Sequence, residues 1–256
     1  MKAIWKGSIG FGLVNIPVRM FSAVESSSLD LDMLDSKDLS HIKFKRVNEN
    51  TGKEVAWENI VKGYMVDDRY VVLEKTDFER ASPEKTNTIE IKNFTMEKDI
   101  DSNYFETPYF LEPDKAGARA YCLLKDALKK TGMAGVGMFV MHNREHVCII
   151  RPVDDMIMLN RLRFAEEIRT PSELTIPKTK SEANELKMAV NLVHQLSKKF
   201  DISKYKDQYT DNLLKIIKAK SKGKLKPYKP MKVVHTGSKD LMEQLKASLS
   251  SKKIAS

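Results

Sequence analysis

His142, Glu145 and His146 stand in the order H-x-x-E-H, the string with which inverted zinc peptidases hold their metal. That chemistry needs both imidazoles on one helix face, a Glu acting as base, and an acidic ligand downstream. Here the string lies between two strand-like runs, Gly135 to Met141 and Val147 to Val153, so a hairpin turn is expected. Residues four apart on a strand share a face but stand about 13 Å apart, too far for one metal. Gly7 and Gly12 have the glycine spacing of a phosphate-binding loop, but Leu13 and Val14 fill the places where Lys and Ser or Thr are required. Gly132, Gly135 and Gly137 follow a helical stretch rather than open one, which removes the dinucleotide fingerprint. No carboxylate pair and no Ser/His/Asp order is marked out. The residues therefore predict no catalytic centre, no resident metal and no cofactor. A zinc hydrolase built on His142, Glu145 and His146 is the remote alternative.

The cations say more. The chain carries +9 net, and the excess is uneven. Residues 198–256 hold 16 Lys against five acids, while residues 1–197 hold 28 Lys plus Arg against 30 acids. A C-terminal excess of this kind predicts a polyanionic partner, nucleic acid before membrane. Residues 215–232 hold eight Lys and no acid, among them Lys215, Lys218, Lys220, Lys222, Lys224 and Lys226. Only Tyr228 interleaves with them, so duplex phosphate contact is favoured over single-strand stacking. Lys43, Lys45 and Arg46 alternate with Ile42, Phe44 and Val47, which predicts a strand with a basic face fit to line a groove. A solvated sheet face is the plainer reading of the same spacing.

The elements that must position these residues divide the chain. With 256 residues, 41% of them hydrophobic, it is long enough for one large domain or a domain plus an appendage. No apolar run approaches the ~18 residues of a membrane helix. Lys2 ahead of Ser8 to Val14 loosely resembles a signal peptide, but Lys6, Asn15, Pro17 and Arg19 interrupt it, and the segment reads as strands. Cys122 and Cys148 sit among apolar residues and are expected as buried thiols in a reducing cytoplasm. Strands are predicted at Ala3 to Trp5, Leu13 to Phe21, Ile42 to Val47, Tyr70 to Leu73, Thr88 to Phe94, Tyr104 to Leu111, Gly135 to Met141 and Val147 to Val153. Short strands broken by turns indicate a barrel or sandwich. Thr76 to Ala81 is a short helix, and Lys115 to Lys130 is an amphipathic one with Leu123, Leu124 and Leu128 on its apolar face, ended by Gly132. After Pro177 the 3.6-residue period takes over, in Ser181 to Lys199 and Gln208 to Lys222. The fold class is thus α+β: a sheet-rich core over 1–172, a helical arm over 173–222, and a flexible Lys-rich linker with a short terminal helix over 223–256. Ser238 caps that last helix, whose Leu241, Leu245 and Leu249 recur every fourth residue. The stripe either packs on its own domain or awaits a partner's groove.

Several ordered runs resemble bacterial Ku proteins. They are Met1 to Val18 (MKAIWKGSIGFGLVNIPV), Ile60 to Tyr64, Tyr70 to Leu73, Tyr109 to Pro113, Leu162 to Arg169 and Asp240 to Leu249. The resemblance covers roughly residues 1–222 and the last helix. It implies a Ku-type β-barrel and a homodimer closing a ring around double-stranded DNA ends. It also implies recruitment of the ATP-dependent DNA ligase in non-homologous end joining, with no catalysis by the chain itself and a cytoplasmic, nucleoid-associated location. The stretches around Lys43 to Arg46 and around Lys62 to Arg69 would form the DNA-facing bridge, and Arg144 falls where the family places a DNA-facing cation. Leu241, Leu245 and Leu249 would then meet the ligase. A non-specific architectural DNA binder acting through its basic tail is the second reading.

Overall fold

The computed structural model describes residues 1–82, 87–223 and 241–250. They form two compact units, residues 1–26 with 30–170 and residues 27–29 with 171–256. The first holds strands β1 (Trp5–Phe11), β2 (Val14–Ser22), β3 (Lys62–Val66), β4 (Arg69–Leu73), β5 (Thr88–Met96), β6 (Phe105–Pro113), β7 (Met133–Met141), β8 (Arg144–Val153) and β9 (Met156–Leu162). It also holds helices α1 (Lys75–Ala81) and α2 (Ala118–Thr131). The second unit holds α3 (Ala183–Leu196), α4 (Gln208–Ser221) and α5 (Leu241–Ser250).

Seven strands close a barrel in the order β1-β2-β6-β9-β8-β7-β5. Closure is made by a short parallel pairing of β1 with β5, Ser8 opposite Thr88 and Ile9 opposite Ile89. A closed sheet leaves no edge to recruit other chains. Its interior is filled by alternate residues, among them Ile9, Ile16, Met20, Ile89, Leu111, Phe139, Ile150 and Leu159, all buried. Gly7, from the phosphate-loop spacing, and Gly137, from the dinucleotide-like string, are both needed for this packing. A Cβ on Gly7 would stand 2.1 Å from the Asn87 carbonyl oxygen, and one on Gly137 would stand 2.4 Å from that of Glu90.

Helix α2 packs on the same core through Tyr121, Leu124 and Leu128 at i, i+3 and i+7. The Ile157 amide donates to the Tyr121 hydroxyl, and that hydroxyl donates to the Leu111 carbonyl, both at 2.6 Å. Burial pushes the phenol above its ordinary pKa, against the pull of the Ile157 amide. Gly132 ends the helix in the left-handed conformation, as predicted. Leu123, by contrast, is exposed and shares an apolar groove of about 390 Å³ with Phe11, Phe94 and Met133.

Three expectations are corrected. The predicted strand over Ile42 to Val47 is absent; that stretch carries only one single bridge, Val47 to Glu54, with another, Leu34 to His41, just before it. Ile42, Phe44 and Val47 are exposed, Phe44 by 79%, so the alternation has no core to pack against. Cys148 is buried as expected, but Cys122 is exposed, because its place on α2 lies off the Tyr121/Leu124/Leu128 stripe. Ala3 and Ile4 precede the first strand rather than build it; one strand runs Trp5–Phe11 and turns at Gly12. Strand β9 carried no sequence signal of its own, because Asn160 and Arg161 break its apolar run. Asn160 is nevertheless buried, accepting from Arg151 Nε at 3.0 Å.

In the second unit α5 lies against α3. Neither α3 nor α4 buries a residue fully. Asp207 caps α4 by accepting from the Tyr209 and Thr210 amides. The Thr210 hydroxyl, which also donates to it, and then the Thr210 amide hold its carboxyl below the usual range.

Candidate nucleic-acid interface

Between β2 and β5 the chain leaves the barrel. Residues 42–55 fold back on themselves at the predicted Asn50-Thr51-Gly52 turn. The Asn48 side chain accepts from the Asn50 and Thr51 amides, and Gly52 takes φ +64°. Strands β3 and β4 then form a separate two-stranded ribbon. Val66 faces Arg69 across a two-residue loop, with Asp67 and Asp68 both at positive φ, the backbone of a type I′ turn. Every residue of β3 is exposed.

This excursion concentrates cations that have no carboxylate partner among the described residues. Lys43, Arg46, Lys62 and Arg69 are all exposed. Lys45 differs: its ammonium lies 2.7 Å from Glu54 Oε2. Two of the unpaired cations rest on rings, Arg46 on Trp57 at 4.9 Å and Lys62 on Phe78 at 5.2 Å. Arginines on the barrel wall are engaged in holding it together. Arg19 pairs with Glu112 and Asp114, Arg151 with Glu97, and Arg161 grips Glu106. Arg161 keeps the Glu106 carboxyl below its ordinary range. Arg163, just past β9, donates to the Asn103 and Phe105 carbonyls.

Arg144 is the exposed exception on a barrel strand. It opens β8 opposite Met141, across a turn in which His142 and Asn143 both take positive φ. The H-x-x-E-H string therefore spans a type I′ hairpin, as its flanks predict, and not a helix face. His142 is in the turn, whereas His146 is on β8 with its ring 5.5 Å from Phe139. Burial, helped by the Arg161 charge, holds the His146 imidazole below its ordinary pKa. Among the described residues no group of three His, Cys, Asp or Glu is close enough to hold a metal ion.

In the second unit Lys215, Lys218 and Lys220 are exposed on α4, and exposed Lys222 caps its end. Lys215, Lys218 and Lys222 share one face by spacing. Lys224 and Lys226, with the rest of the Lys-rich linker and Ser238, lie outside the described residues. Leu245 and Leu249 are partly buried on α5, while Leu241 is 54% exposed. Trp57, Phe78 and Glu54 carried no sequence signal as site residues. Only the turn at residues 50–52 hinted that residues near 46 and near 57 would meet.

Residues 10–188 match the family model described as the Ku70/Ku80 beta-barrel domain. The chain belongs to the Ku family. Its similarity to curated Ku relatives runs nearly end to end. A protein of Opitutus terrae named non-homologous end joining protein Ku is 41% identical over 97% of this chain and 91% of its own. One of the same name from Archaeoglobus fulgidus is 36% identical over 97% and 98%. Another from Cupriavidus necator is 42% identical over 86% of this chain and 67% of its own. The Ku barrel is thus the closed seven-stranded barrel described above, and the excursion between β2 and β5 lies inside the matched span.

Proposed function

We propose that the chain binds double-stranded DNA ends, without reading sequence, in non-homologous end joining. The observation that carries this is the near full-length similarity to relatives named for that process. The geometry supports it: a Ku excursion offers exposed cations with no carboxylate partner among the described residues, the kind of surface that engages phosphates at any sequence. In this reading Lys43, Arg46, Lys62, Arg69 and Arg144 contact the duplex, and Lys215 to Lys226 add affinity from the second unit. The barrel core over 1–172 carries the DNA surface, the arm over 173–222 and the segment 223–256 assist it, and the chain performs no catalysis. It acts as a homodimeric ring in the cytoplasm, at the nucleoid, and recruits the pathway's ATP-dependent DNA ligase. No described helix is long and apolar enough to cross a membrane.

A ring admits DNA only from an end. Short linear duplex should therefore bind, and an equal mass of covalently closed circle should compete poorly. Equal competition would remove the ring and leave the architectural reading, in which the basic tail alone binds DNA.

A further inference from the structure

Cations on the excursion are treated in two different ways by their neighbours. Lys45 is neutralised by Glu54. Arg46 and Lys62 are held by ring faces instead, from the single turn Trp57–Asn59 and from α1 respectively. Trp57 is 73% exposed, so its ring serves no core. On α1 the acids are occupied: Asp77 accepts from the Glu74 amide at 2.9 Å and Glu79 faces Lys75 at 3.7 Å, which leaves Lys62 to Phe78. A ring face attracts a cation without taking up its N–H donors or cancelling its charge. A guanidinium drawn to a ring face keeps its N–H donors for other acceptors, and a phosphate can take two of them at once. Stacking also removes rotamer freedom that binding would otherwise cost.

We infer that Trp57 and Phe78 are positioning residues, holding Arg46 and Lys62 as pre-ordered phosphate contacts with their charge unspent. The inference rests on the DNA-end reading above.

The test measures linear-duplex binding by the full chain from about 50 to 200 mM salt. Arg46→Ala should flatten the log–log salt slope by about 0.9 for each protomer whose Arg46 meets a phosphate. Trp57→Ala should weaken binding by about two- to fivefold, and Trp57→Phe should restore it. The double variant R46A/W57A should bind no worse than R46A alone, because Trp57 acts through Arg46. Phe78→Leu, which keeps apolar bulk without the ring, should behave likewise against Lys62→Ala. Additive losses in either pair, or a Trp57→Phe as weak as Trp57→Ala, would overturn the positioning role. An unchanged Arg46→Ala would remove it too. In that case preserved preference for linear over circular DNA shows that the end-binding reading stands without this contact, and loss of that preference shows that the reading itself fails. Equal thermal midpoints across the set confirm that binding, and not folding, is being read.

Discussion

Glu54 competes with any polyanion for Lys45, since the 2.7 Å ion pair must open before that ammonium meets a phosphate. Both side chains are exposed, so the pair itself adds little to stability. Glu54→Gln is therefore expected to leave the thermal midpoint unchanged while tightening duplex binding and steepening the salt slope by up to about 0.9 per protomer. An unchanged slope in a gel-shift salt series would mean that Lys45 makes no phosphate contact even when released. Tyr121 is the opposite case, a buried polar group with both its bonds made. Tyr121→Phe leaves the Ile157 amide and the Leu111 carbonyl without that partner, at a cost of about 1–3 kcal/mol. For a protein of this size each kcal/mol lowers Tm by roughly 2–4 °C. Calorimetry should show the drop, with DNA binding intact below the transition.

At the scale of elements, an isolated two-stranded ribbon is marginal in water, and β3–β4 has no third strand. Its local support is the type I′ turn at Asp67–Asp68 and the Lys62–Phe78 contact to α1. Helix α5 poses a different question. It lies against α3, yet Leu241 stays exposed, so the leucine stripe is only partly used within its own unit. If the ligase takes this helix in an apolar groove, Leu241→Asp with Leu245→Asp places charge against that groove. Ligase-stimulated joining should then fall while end binding in a gel shift is retained. Joining at the level of the unchanged chain would move the docking surface to the barrel or to α3 and α4.

For the whole molecule, charge and fold are separate matters. The barrel engages Arg19, Arg151 and Arg161 in its own ion pairs, while the positive excess collects after residue 197. Removing residues 224–256 deletes eight Lys and two acids. That truncation is expected to weaken duplex binding and flatten the salt slope, because fewer counterions are released. In the proposed ring it should not alter the preference for linear over closed-circular DNA, because that preference would come from ring closure. A truncated chain that binds both forms equally would place the end preference in the tail.

Local rules and sequence alone determined much of this protein. Alternation and β-branched residues marked β2, β5, β7 and β8, the 3.6-residue period marked α2, α3 and α4, and Gly132 marked a helix end, because each signal lies within a few residues of chain. The hairpin through His142 and Asn143 was legible for the same reason, and it left the zinc reading only a remote alternative. Ordered runs from Met1 to Arg169 carried the family. Tertiary structure decided what depends on long-range partners. Ile42 to Val47 has strand-like alternation but no core under its apolar side chains, and its pairing stops at a single bridge from Val47 to Glu54, so it stays irregular. Strand β9 has a poor local signal but gains β6 and β8 on its two sides. Which cations are free was equally beyond the sequence: Lys43, Lys45 and Arg46 look alike in a row. Only the fold brings Glu54 to one of them and the Trp57 ring to another, because ion pairs and ring contacts depend on distance in space and not on spacing along the chain.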